Sequence, residues 1–166
     1  MRLSPFRIAA AIAVLAVLFT AHTRIHAQFS WSAPSPDSAS SIPSTQLLQP
    51  EELNRLLHAQ GANKPLVLQV GSRMLFAQAH IAGSEYAGAG SQAESLNQLQ
   101  TRVASLPRKS FIVLYCGCCP WSRCPNVGPA FKLLCDQGFT NVKVLYIANN
   151  LGTDWVDKGY PVERGH

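Results

Sequence analysis

Four of the five cysteines of this 166-residue chain lie within nine residues. The segment reads Y-C-G-C-C-P-W-S-R-C-P-N, so its thiols belong to Cys116, Cys118, Cys119 and Cys124. An apolar run, residues 111–115, precedes these thiols, and a helix-like stretch follows them. A loop between a strand and a helix presents backbone N–H groups and the positive end of the helix, which both favour a thiolate. Such a setting can lower a thiol pKa from about 8.5 to about 3.5–7.5. The segment therefore predicts sulfur chemistry.

The elements that must position this loop alternate along the chain. Amphipathic patterns predict helices over residues 50–61, 73–79, 93–106, 126–137 and 154–158, and apolar runs predict strands over residues 65–70, 110–115 and 142–147. Alternation of this kind indicates an α/β fold with a central, mainly parallel sheet covered on both faces. Right-handed crossovers place the loops after the strands at one edge, where ligands bind in open α/β sheets. We expect Cys116 at that edge.

The N-terminal part predicts export. Arg2 and Arg7 precede a twelve-residue apolar run, which is shorter than the roughly 20 residues of a membrane-spanning helix. Ile25-His26-Ala27 offers a cleavage site, so residues 1–27 are interpreted as a signal peptide; an uncleaved anchor is the alternative. Residues 28–46 are rich in Ser and Pro and are expected to form a linker. Residues 47–166 then form one domain of ordinary size.

Charge excludes one class of partner. Signal cleavage would remove three arginines and lower the formal net charge from +5 to +2. The remaining chain has no lysine- or arginine-rich run, so we expect no nucleic-acid partner. After cleavage we also expect no stable membrane association. An extracytoplasmic location, periplasmic or secreted, would allow disulfides to persist.

The order of several short motifs resembles the single-domain rhodanese family across nearly all of residues 47–163. The matching segments are Pro50-Glu51-Glu52-Leu53, residues 66–70, residues 79–84, residues 112–116, Gly138-Phe139, Trp155 and Gly159-Tyr160-Pro161-Val162. The resemblance implies a three-layer α/β/α domain. It also implies that Cys116 is the catalytic cysteine, which takes a sulfane sulfur from a donor such as thiosulfate and passes it to a thiophilic acceptor.

The sequence also differs from the family pattern in two places that affect the predicted site. Gln69-Val70-Gly71 replaces the usual Asp-Val-Arg after the first long strand, so an anchor is missing or replaced. The loop after Cys116 is longer than the family's six-residue loop, and Arg123 does not align with the family's loop arginine without a gap. The fold expectation survives these changes, whereas the family's substrate pocket does not transfer.

The extra cysteines leave three interpretations open. Cys118, Cys119 and Cys124 could resolve a persulfide or sulfenate on Cys116. They could form a structural disulfide, with Cys119–Cys124 as one pairing. They could bind zinc, copper(I) or an iron–sulfur centre. The C-x-C-C-x4-C spacing, unlike paired C-x2-C motifs, argues against the metal.

The sequence therefore predicts an exported sulfurtransferase that needs no cofactor and no metal. Its partners would be a small anionic sulfur donor and a thiol acceptor. Cys116 is the predicted nucleophile, and the predicted substrate-binding residues are Gly117, Cys118, Cys119 and Arg123. The alternatives are a thiol–disulfide redox protein and a non-catalytic metal- or partner-binding module. Cys135 and His80 are expected to be structural.

Overall fold

A five-stranded parallel sheet lies at the centre of the computed structural model, which describes residue 39, residues 41–59 and residues 64–165. The described residues belong to one compact unit. The predicted signal peptide, most of the predicted linker and the predicted helix end at Gly61 lie outside the described residues.

Short strands and helices alternate along the described chain. The strands are β1 (Leu47–Leu48), β2 (Leu66–Gln69), β3 (His80–Ile81), β4 (Glu85–Tyr86), β5 (Ile112–Tyr115), β6 (Val142–Leu145) and β7 (Val162–Glu163). The helices are α1 (Pro50–His58), α2 (Arg73–Gln78), α3 (Ala93–Val103) and α4 (Val127–Asp136). Short 3-10 turns cover Ser44–Gln46 and Trp121–Arg123, and a π-helical turn covers Gly152–Val156. Among the described helices, none is both long and apolar enough to cross a bilayer.

The strand order confirms the predicted α/β architecture. The large sheet runs β1-β6-β5-β2-β4, and all of its neighbouring pairs are parallel. β5 is the central strand; Leu114 pairs with Leu68 of β2 on one side and with Val144 of β6 on the other. β3 and β7 form a separate antiparallel pair. The two-residue strands β1, β3, β4 and β7 are too short for a hydrophobic pattern to define them.

The two faces of the sheet bury separate apolar clusters, which gives the expected three layers. Ile112, Leu114 and Cys116 point to the face covered by α3 and α4. Val113 and Tyr115 point to the face covered by α1 and the Gly152–Val156 turn. Side chains alternate across a strand, so a strand buried on both faces is apolar throughout. This alternation sends Cys116 to the α3–α4 side.

The segment just before β1 packs on the domain. Ala39 and Ile42 are only 2% and 5% exposed and belong to the cluster under α3 and α4. The Ser44–Gln46 turn then leads into β1, which pairs with β6 at the sheet edge. The C-terminal part of the predicted linker therefore contributes to the hydrophobic core.

Candidate active site in the cysteine loop

Cys116 lies directly after the central strand, at the carboxyl edge of the sheet. The side chain of Gln69, at the end of β2, donates from Nε2 to the Cys116 carbonyl at 3.1 Å and accepts from the Gly71 N–H at 3.3 Å. A Cβ at Gly71 would lie 2.7 Å from the Cys116 oxygen and 3.0 Å from its Sγ. Gln69-Val70-Gly71 thus supplies the anchor that the departure from Asp-Val-Arg left open, and Gly71 lets the two strand ends approach closely.

The loop after Cys116 is tied to the chain that follows β6. Gly117 turns the backbone with a φ of 72°, a region that glycine adopts without steric cost. Its carbonyl accepts from the Leu151 N–H at 3.0 Å. Further along, the Trp121 N–H donates to the Ala148 carbonyl at 3.2 Å, and the Trp121 ring packs against Tyr146. These contacts fold the long loop back over the sheet edge.

Folding the loop back brings the four sulfurs together. Cys116 Sγ lies 2.8 Å from Cys118 Sγ, which lies 3.6 Å from Cys119 Sγ. The Sγ atoms of Cys116, Cys119 and Cys124 all lie within 4.8 Å of one another. Cys135 stands apart from this cluster, exposed on α4.

Asn126 joins this cluster, a role that sequence reasoning missed. Asn at a helix N-terminus commonly caps the helix, but in the described structure its side chain makes no cap bond to α4. Its Nδ2 instead donates to Cys116 Sγ at 3.3 Å and points toward Cys118 Sγ at 3.9 Å. Its Oδ1 accepts from the Ser91 N–H at 3.1 Å, which fixes the orientation of the amide. The only feature of the sequence that points to this role is that Asn126 follows Cys124 and Pro125 directly.

Hydrogen bonds within the cluster divide its charge unevenly. The hydrogen bond with Cys116 lowers the pKa of Cys118 to about 6, with help from the Cys119 thiol and the Ser72 N–H. Cys116 likewise lowers the pKa of Cys124 to about 7, with the N–H groups of Asn126 and Val127 contributing. The pKa of Cys116 is raised by these same bonds and by burial, and burial raises that of Cys119 to about 12. Because Cys116 can donate its single proton to one neighbour at a time, these bonds favour negative charge on Cys118 or Cys124 over Cys116 or Cys119.

Two open cavities meet at Cys118. One, of about 270 Å³, is also lined by Cys116, Gly117, Gln78 and Asn150. The other, of about 370 Å³, is also lined by Arg73 and Tyr86. A larger cavity of about 760 Å³ lies at the opposite end of the strands, around Leu66 and Phe111, away from the sulfurs. The chemistry of the cysteines assigns the candidate site to the two smaller cavities.

The predicted substrate-binding residues take different positions. Gly117 and Cys118 line the 270 Å³ cavity beside Cys116, whereas Cys119 lines a small internal void with Cys124. Arg123 lies exposed on the Trp121–Arg123 turn and does not line either cavity at Cys118 among the described residues. Arg73, which sequence reasoning did not single out, is the cation beside Cys118. Its guanidinium lies over the Tyr86 ring at 5.1 Å.

His80 and Trp155 have structural environments. His80 is buried, shares a 2.8 Å hydrogen bond between Nδ1 and the Phe76 carbonyl, and stacks on the Phe76 ring at 3.8 Å. Trp155 is fully buried, and its Nε1 donates to the Pro161 carbonyl at 2.9 Å. Trp155 belongs to the apolar cluster on the face of the sheet opposite Cys116.

Comparison with solved structures shows a rhodanese-like fold. The solution structure of the rhodanese-like domain of the Alr3790 protein from Anabaena sp. is 21% identical, with a TM-score of 0.52 over 72% of this chain and 79% of that chain. A crystal structure of the Alr3790 protein is 22% identical, with a TM-score of 0.53 over 71% and 92% of the two chains. The BH2092 protein from Bacillus halodurans is 19% identical, with a TM-score of 0.54 over 70% and 75%. No protein-family profile and no curated protein sequence matches the chain.

Proposed function

We propose that this protein is an exported sulfurtransferase that carries a sulfane sulfur as a persulfide on Cys116. The observation that supports the proposal is the position of Cys116, directly after the central strand of a rhodanese-like fold and open to a 270 Å³ cavity. Ligands bind at this edge of open α/β sheets. The apolar N-terminal run after Arg2 and Arg7 supports export.

The first step requires a thiolate on Cys116. Cys118 Sγ lies 2.8 Å away and accepts the Cys116 proton as the donor binds, and the Asn126 amide then stabilises the Cys116 thiolate. The Cys116 thiolate then attacks the outer sulfur of thiosulfate. The sulfur–sulfur bond of the donor breaks, sulfite leaves with the bonding electron pair, and Cys116 holds an anionic persulfide.

The second step returns the enzyme to its starting state. An acceptor thiolate attacks the outer sulfur of the persulfide, and Cys116 leaves as a thiolate. Proton transfer from Cys118 restores the Cys116 thiol, so the cycle involves no net oxidation of the protein. Of the two cavities that meet at Cys118, only the one of about 270 Å³ is lined by Cys116, so the donor and the acceptor use it in turn.

Two polar groups suit an anionic sulfur. Asn126 Nδ2 donates a hydrogen bond to Cys116 Sγ, and it can donate in the same way to the terminal sulfur of a persulfide on Cys116. Arg73, on the cavity beside Cys118, provides the positive charge that attracts an anionic donor. Since Pro120 and Pro125 have no N–H group, side chains replace part of the backbone cradle that a rhodanese loop provides.

Peptide mass spectrometry tests this proposal. The chain from Gln28 onward is purified without reductant and analysed before and after incubation with thiosulfate. We expect one extra sulfur on the Cys116 peptide, retained in Cys135→Ser and lost in Cys116→Ser. A Cys116 peptide that gains no sulfur from thiosulfate, or from a polysulfide donor, would contradict the proposal.

The 2.8 Å separation of the Cys116 and Cys118 sulfurs favours a second candidate, a thiol–disulfide redox protein. In that function the two thiols would form a disulfide as a partner disulfide is reduced, which conserves electrons. The same spectra separate the two functions. A loss of two hydrogens linking Cys116 to Cys118, without added sulfur, would identify the redox function.

A further inference from the structure

The sulfurs of Cys116, Cys119 and Cys124 form a three-sided arrangement distinct from the Cys116–Cys118 contact. All three Sγ atoms lie within 4.8 Å of one another. Cys116 and Cys124 are 4% and 2% exposed, and Cys119 is half-buried. Within the described part of the chain, this is the one place where three side chains able to bind a metal converge. The loop fold, and not the sequence spacing, creates it.

The three cysteines also line a common internal void. Its volume is about 10 Å³, which is close to that of one water-sized sphere. The rest of its lining consists of Gly117 and of apolar side chains, Trp121, Val127, Leu145 and Ile147. A buried water needs two to four polar partners, and thiols are weak ones. A single soft cation fits this environment better than a water molecule.

The ligand set selects the class of cation. Thiolates without carboxylate or imidazole favour soft metals such as Cu(I) and Zn²⁺. A metal–sulfur distance of about 2.3 Å places the sulfurs of a trigonal site about 4 Å apart, so the three atoms need only a small contraction. Structural zinc sites take four ligands. Cys118 Sγ contacts Cys116 and Cys119 but is not part of the group that converges with Cys124.

Hydrogen-bond donors next to the sulfurs would stabilise them as thiolate ligands. Asn126 Nδ2 donates to Cys116 Sγ at 3.3 Å. The N–H groups of Asn126 and Val127, at the start of the ten-residue helix α4, donate to Cys124. Hydrogen bonds of this kind orient metal ligands and offset part of their charge. The preformed donors reduce the rearrangement that metal binding requires.

We infer that Cys116, Cys119 and Cys124 form a trigonal three-thiolate site for one Cu(I) ion. Binding forms three copper–sulfur bonds, releases the thiol protons to solvent and changes no oxidation state. The site goes beyond the proposed sulfur transfer and competes with it, because Cys116 cannot carry a metal and a persulfide at once. Copper(I) would therefore block persulfide formation on Cys116.

An anaerobic titration tests the inference. The reduced chain from Gln28 onward competes for Cu(I) with a chromophoric Cu(I) chelator, and copper X-ray absorption counts the sulfur neighbours. We expect one Cu(I) per chain with three sulfur ligands, lost in Cys119→Ser and retained in Cys118→Ser and Cys135→Ser. Cys119 is half-buried, so its replacement perturbs folding less than a change at Cys124, and circular dichroism checks that the variant is folded.

Other results would overturn the inference. Wild-type protein that fails to take Cu(I) from the chelator excludes the site. Loss of copper in Cys118→Ser, or a spectrum with four sulfur ligands, replaces it with a tetrathiolate site of the zinc type. Persulfide formation is measured separately on metal-free protein. Copper binding without a persulfide contradicts only the proposed function, and a persulfide without copper binding contradicts only this inference.

Discussion

At the scale of single residues, the surroundings of Cys116 come from distant parts of the chain, since Asn126 donates to its Sγ and Gln69 donates to its carbonyl. Cys116 could be predicted because an apolar strand and a helix flank it in sequence. Asn126 could not, because its amide is oriented by Ser91, 35 residues earlier in the chain. Gln69 was recognised only as a departure from a family motif, and its contact is to a carbonyl 47 residues later. Patterns along a chain do not report contacts of this range.

Asn126→Ala should slow persulfide formation on Cys116 without preventing it. The change removes the Nδ2 donor from Cys116 Sγ, and a hydrogen bond to a charged group contributes about 1.5–3 kcal/mol, so we expect a rate loss of roughly tenfold or more. Asn97→Ala, on the exposed face of α3, is the matched control and should leave the rate unchanged. Stopped thiosulfate reactions followed by peptide mass spectrometry measure both rates. Equal rates in the two variants would remove Asn126 from the mechanism.

At the scale of elements, the site depends on the close approach of two strand ends. β2 and β5 pair in register from Leu66 with Ile112 to Gln69 with Tyr115, so the residues after them meet at the same edge. The sequence predicted both strands and their parallel pairing. It did not predict that Gly71 is the point of closest approach, since a glycine after a strand is equally typical of a simple turn.

Gly71→Ala tests this approach. The added Cβ would lie 2.7 Å from the Cys116 oxygen, so the ends of β2 and β5 must separate, and overpacking of this kind costs about 1–3 kcal/mol. We expect a lower melting temperature and slower persulfide formation. Chemical denaturation and the thiosulfate assay measure the two effects. Wild-type stability in this variant would show that the strand ends do not need to be so close.

The segment before β1 contributes to the hydrophobic core, which the sequence pattern does not indicate. Ile42 lies in a stretch rich in Ser and Pro, so it was assigned to a linker, but it is 5% exposed in the structure. Ile42→Ala should lower the free energy of unfolding by about 2–4 kcal/mol, and Ile42→Val by about 0.5–1.5 kcal/mol. Urea denaturation of both variants checks this gradation. Two variants as stable as the wild type would show that this segment is not part of the folded core in solution.

At the scale of the whole molecule, the α/β class could be predicted because apolar strands alternate with amphipathic helices, and the rhodanese-like fold could be predicted only from the resemblance of several short motifs to that family. The strand order could not be predicted from the sequence, because the two edge strands, β1 and β4, have only two residues each. The convergence of Cys119 and Cys124 on Cys116 could not be predicted either. That convergence depends on where the long loop docks, and a cysteine spacing alone does not contain this information.

Export is the prediction that belongs to the whole chain. If residues 1–27 are a signal peptide, expression in a bacterial host should yield an extracytoplasmic protein whose first residue is Gln28, because small residues are required before the cleaved bond. Ala27→Arg should block this processing, whereas His22→Ala should not. Intact-mass measurement of the periplasmic and cytoplasmic fractions gives the result. An unprocessed, cytoplasmic wild-type chain would contradict the prediction.

The double attachment of the cysteine loop has a consequence for protein engineering. The carbonyl of Gly117 and the N–H of Trp121 are held by Leu151 and Ala148, in the segment that follows β6. The sulfur arrangement therefore depends on residues 146–151 as well as on residues 116–126. A graft of residues 116–126 alone onto another scaffold would transfer the thiols without their spatial arrangement, so a transferable module must also include residues 146–151 and the supports at Gln69, Gly71 and Ser91.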